Sequence, residues 1–94
     1  MVNRLELLYW DQKVQVMTTS TKRIVAYHIA RLQDKSVEVR LKAISELSHL
    51  ADQEALDALR AVFENDSDAS VRKAAQEAGR AVFINIKGQS DKNQ

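Results

Sequence analysis

Between Val37 and Leu50, the apolar residues Val37, Val39, Leu41, Ala43, Ile44, Leu47 and Leu50 wrap one side of a helical wheel. They fill an arc about twice as wide as the polar arc of roughly 100° held by Glu38, Lys42, Ser45, Glu46 and His49. A helix resting on one neighbour needs only a narrow apolar stripe. This one must be covered on more than one side, so the pattern predicts a helix stacked between neighbours. Similar spacing predicts helices over 22–33, with Ile24, Val25, His28, Ile29 and Leu32 on one face, and over 53–64, with Leu56, Leu59, Val62 and Phe63 as the buried stripe. Another is predicted from Ala69 to about Ile86.

Cap-forming residues punctuate these segments. Ser36 and Asp52 stand where side-chain oxygens can accept the first free backbone N–H groups of the following helices. The cluster Thr18-Thr19-Ser20-Thr21 marks the start of the 22–33 helix. A further helix from Arg4 to Met17 has Asn3 as N-cap and Glu6 three residues on, although Lys13-Val14-Gln15-Val16 alternates as a short extended piece would. Pro is absent and Gly occurs only at Gly79 and Gly88, which favours helix throughout. The fold class is all-α. Residues 1–21 form an N-terminal capping segment, 22–86 two hairpins (22–50 and 53–86), and 87–94 a polar tail expected to be disordered.

Two segments match at a spacing of 32 residues: DKSVEVRLKA from Asp34 and DSDASVRKAA from Asp66. In each, an Asp precedes an Arg by six positions, a Val stands before that Arg and an Ala lies three beyond it. Arg40 and Arg72 thereby project into apolar arcs, where a charge is costly unless paired. An Asp at fixed offset in the preceding turn is the evident acceptor. This pattern resembles the HEAT-repeat family, notably its short bacterial members, from Lys22 to Phe83. The resemblance implies a short right-handed α-solenoid in which Asp34, Arg40, Asp66 and Arg72 form structural ion pairs laddered between turns. The Pro common in the family's turns is missing. The second copy is also weaker, with Ala78-Gly79 where the first has Glu46-Leu47.

Charge and composition narrow the function. Fourteen Lys and Arg against 13 Asp and Glu leave a net charge of +1, too little for a dedicated nucleic-acid or membrane-surface binder. The lack of cysteine removes thiol chemistry and Cys-based metal sites. His28 sits on an apolar stripe as a core histidine would, and His49 lies among polar neighbours, so no metal or cofactor is expected. No phosphate-binding glycine loop or nucleophile elbow is present, and an enzyme is not expected. With no secretion signal or apolar run of membrane-spanning length, a cytoplasmic protein is the expectation.

What remains is a non-enzymatic adaptor or scaffold that binds another protein. By the family's geometry, the concave side would present Glu38, Lys42, Ser45, Glu46 and His49, continued by Lys73, Gln76, Glu77 and Arg80. Apolar anchors would come from the ends: Tyr9 and Trp10 at one, Phe83, Ile84 and Ile86 at the other. Fewer than three repeats give little self-support, so a homodimer stacked end to end is a further expectation. The alternatives are an accessory role in tetrapyrrole or phycobilisome metabolism, implied only by family association, and weak nucleic-acid binding.

Overall fold

The computed structural model describes residues 21–92, with side chains described as far as Gln89. The expectations for Asn3, Tyr9, Trp10 and the rest of residues 1–20 lie outside the described residues. Among the described residues four helices follow in order: α1 (21–31), α2 (Val37–Leu47), α3 (Gln53–Asn65) and α4 (Ala69–Lys92). No strand occurs among the described residues. The helices form two consecutive hairpins, with α3 packed along α4 and α4 also against α2.

Local chemistry sets the helix starts. Ser36 accepts the N–H of Val39 at 3.4 Å, and Asp52 accepts that of Ala55 at 2.9 Å. Asp68 does the same for α4, taking the N–H groups of Ser70 (2.8 Å) and Val71 (3.1 Å) together with the Ser70 hydroxyl. These bonds hold its carboxyl below the usual aspartate range, the Ser70 hydroxyl contributing most.

The ends depart from the sequence pattern at two places. Helix α2 stops at Leu47, not at Leu50. Asn85 of α4 donates from Nδ2 to the carbonyls of Ser48 (3.3 Å) and Leu50 (3.1 Å), satisfying groups that a longer helix would have used internally. In contrast, α4 runs through Gly88 to Lys92, where a disordered tail was expected from Lys87. Neither glycine takes a positive φ and no proline interrupts the chain, so nothing local stops the helical hydrogen bonding.

The core is one continuous cluster. Val25 of α1 and Leu32 just beyond its end join Ala43, Ile44 and Leu47 of α2, Leu56, Leu59 and Val62 of α3, and Val71, Ala75, Ala78 and Val82 of α4, all buried. The wide arc of α2 is covered as the pattern requires: three of its residues are fully buried, and Val37, Leu41 and Leu50 pack half-buried against the cluster. Phe63, assigned to the buried stripe of its helix, is exposed on a flank of α3; Ile24, on the apolar face of α1, is exposed as well.

Candidate functional site

The Asp–Arg pattern produces a joint between the hairpins, but with other partners than the spacing within each copy indicated. Arg40 grips its own turn through backbone oxygens: Nη1 donates to the carbonyls of Asp34 (2.9 Å) and Lys35 (3.2 Å). The charge goes to the next repeat. Nη2 donates to Asp66 Oδ1 at 3.2 Å, and Nε lies 3.0 Å from Oδ2 without the alignment of a hydrogen bond. Both side chains are largely withdrawn from water, at 12% and 8% exposure. The Asp34 carboxylate, expected to pair with Arg40, accepts the Ser36 N–H at 2.9 Å instead. A six-residue offset brings the guanidinium to the turn's backbone, and the carboxylate it meets belongs to the repeat stacked above. Arg72 likewise donates Nη1 to the Asp66 carbonyl at 2.7 Å, not to its carboxylate.

The expected concave face is less charged than its sequence suggested. A groove of about 290 Å³ runs between α2 and α4, lined by Leu41, Ile44, Ser45, Ser48, Ala74, Glu77, Ala78 and Ala81. Of the residues assigned to it, only Ser45 and Glu77 line it. Glu38, Lys42, Glu46, His49 and Lys73 are exposed beside it, and no ion pair among them occurs within the described residues.

A larger groove, about 570 Å³, lies on the outer side of the second hairpin, between α3 and α4. Leu56, Ala75 and Gly79 line its apolar part, flanked by Phe63, Phe83 and Ile84, with Arg60, Glu64, Gln76 and Arg80 as its polar members. Phe63 is 42% and Phe83 52% exposed. Gln76 and Arg80, assigned to the concave face, belong here. The helical wheel explains the placement: Arg72, Gln76, Gly79 and Phe83 lie along one flank of α4, 32 residues beyond Arg40, Ile44, Leu47 and Ala51. Sequence reasoning found Phe83 and Ile84 as uncovered apolar residues but missed Phe63 and Arg60. The repeat offset, which sets Gly79 where the first copy has Leu47, signals the hollow on α4 but not which flank of α3 borders it.

Elsewhere the chemistry is sparse. No group of three or more His, Asp or Glu side chains that could hold a metal occurs among the described residues. His28 is half-buried beside Tyr27, the rings edge-on at 5.2 Å between centroids, and its Nδ1 has no hydrogen-bond partner among the described residues. The Arg31 guanidinium stands 5.5 Å from the Tyr27 ring centre. No described helix is long and apolar enough to cross a membrane.

Paired helices, an Asp–Arg joint between successive hairpins and an open apolar end define a short α-solenoid. A family model for HEAT repeats matches residues 15–79, about two thirds of the chain, and the chain belongs to the HEAT-repeat family. No curated protein and no solved structure matches it.

Proposed function

We propose that this chain is a non-enzymatic protein-interaction module whose principal contact surface is the outer groove of its second hairpin. HEAT repeats generally mediate contacts between proteins. The observation that carries the reading is the exposure of Phe63 and Phe83 on either side of one groove with Arg60 and Arg80 among its lining residues. Aromatic and arginine side chains are favoured anchors at protein interfaces. The polar residues beside the α2–α4 groove, Lys42, Glu46, His49 and Lys73, are a secondary, salt-sensitive rim.

The test is affinity capture with wild type, Phe83→Ser and Lys42→Glu, followed by binding measurements with each purified captured protein, including further copies of this chain. The reading expects at least one partner whose binding falls about tenfold or more with Phe83→Ser and less than about threefold with Lys42→Glu. Equal binding to wild type and Phe83→Ser would overturn it.

A further inference from the structure

The joint between the hairpins has two halves, and both recur at the ends without a mate. The acceptor half is Asp66, whose Oδ1 accepts the N–H two residues on, that of Asp68, at 2.9 Å and so presents the carboxylate to Arg40. Asp34 is built the same way, its Oδ1 accepting the Ser36 N–H at 2.9 Å, yet no cation meets it among the described residues. The donor half is an Arg anchored by Nη1 to the carbonyl six residues back, at 2.9 Å for Arg40 and 2.7 Å for Arg72. Arg40 then reaches Asp66. Arg72 reaches no carboxylate among the described residues.

We propose that the outer face of the second hairpin binds the first hairpin of a second copy of this chain, head to tail, with Arg72 of one copy on Asp34 of the next. The inference rests on the reading of that face as a contact surface and names its occupant. Charge complementarity argues for this occupant: Arg60 and Arg80 outnumber Glu64 among the residues lining the groove, Arg72 stands on the same flank of α4, and the turn offered to them carries a carboxylate already shaped as Asp66 is. Repeating the internal joint sets α1 of the second copy over α3, and α1 leaves Ile24 and Tyr27 exposed to meet Phe63. Gln76 and Gly79 replace the Ile44 and Leu47 of the internal joint, so the contact is weaker than the fold's own and depends on concentration. A head-to-tail contact uses two different surfaces and does not close on itself. Its product is therefore a series of oligomers that grows beyond the dimer.

Light scattering of the full chain across a concentration series tests this. The average mass of wild type is expected to rise continuously past that of a dimer. Arg72→Asp and Asp34→Arg each place like charges across the contact and are expected to weaken association about tenfold or more, whereas their equimolar mixture restores opposite pairs and recovers it. Asp34→Asn keeps an acceptor for the Ser36 N–H while removing the charge, and should weaken association with the helical signal intact. A wild type that stays monomeric throughout, a closed dimer indifferent to these substitutions, or a mixture no better than its components would each overturn the inference. If wild type is monomeric but Phe83→Ser still loses a captured partner, the contact-surface reading stands and only the second copy is excluded. If Phe83→Ser alters neither, both fall.

Discussion

One face occurs twice in this molecule and meets two fates. On α2, Arg40, Ile44 and Leu47 form the flank on which the second hairpin stacks; Ile44 and Leu47 are buried and Arg40 is tied to Asp66. On α4, the corresponding Arg72, Gln76 and Gly79 meet no third hairpin among the described residues, and Phe83 beside them stands in the open. The lesson is that a repeat's sequence encodes an interface whether or not the fold covers it. Burial turns the first copy into stability. Exposure leaves the second uncovered among the described residues.

Substituting one large apolar side chain on each face should split the two sharply. Leu47→Ala removes a fully buried side chain from the covered face and is expected to cost about 3 kcal/mol in urea unfolding. Phe83→Ser on the open face should cost less than about 1 kcal/mol, its larger effect falling on binding. Comparable losses for the two would break the comparison, since Phe83 would then belong to the core.

The arginines should separate in the same direction by a smaller margin. Arg40→Ala strands a largely buried Asp66 carboxylate and is expected to destabilise by about 2 kcal/mol. Arg72→Ala loses one bond to a backbone oxygen, about 0.5–1 kcal/mol. Thermal unfolding of both variants checks the order. Asn85→Ala, which removes the amide holding the Ser48 and Leu50 carbonyls, should fall between them at about 1 kcal/mol.

Gly79→Ala sharpens the contrast with an opposite sign. A Cβ there would lie 3.9 Å from Leu56 Cδ1, an ordinary contact, so the better helix former should stabilise by about 0.5–1 kcal/mol. It should also make the groove shallower and weaken binding there. A gain in stability with unchanged binding would mean that the hollow over Gly79 is not used.

The smallest effect is on pH. Hydrogen bonds from Ser70 and Val71 hold the Asp68 carboxyl below its ordinary value, so its ionised form favours the fold. That contribution is complete above the carboxyl's unfolded-state pKa and fades as pH falls through the lower folded-state value. Asp68→Asn should therefore lower neutral-pH stability slightly and flatten the acid limb of the profile, the two proteins converging in acid; an identical acid limb would contradict this.

Much of this organisation was legible from residue spacing because it rests on local rules. The N-cap side chains of Ser36 and Asp52 act within one turn, and the apolar arc of α2 states how many neighbours it needs. The Asp–Arg repeat disclosed the family, which the match over residues 15–79 shows. Its pairing was misassigned because proximity in sequence favours Asp34 with Arg40, whereas stacking brings Arg40 to Asp66. The same limit explains Phe63 and the concave face. Which flank of α3 lies uncovered, and whether Arg80 faces the α2–α4 groove or the α3–α4 groove, depends on the rotation of one hairpin on another. Asn85 was invisible for a related reason, its two acceptors lying 37 and 35 residues away.

The most direct test is the urea midpoint of unfolding measured as a function of protein concentration, for wild type beside Phe83→Ser. Association of the folded form stabilises it by mass action. The account predicts a wild-type midpoint that rises with concentration and a Phe83→Ser midpoint that stays flat, the two converging at high dilution. A flat midpoint for wild type, or an equal rise in both proteins, would contradict the claim that the open face of the second repeat is where copies of this chain meet.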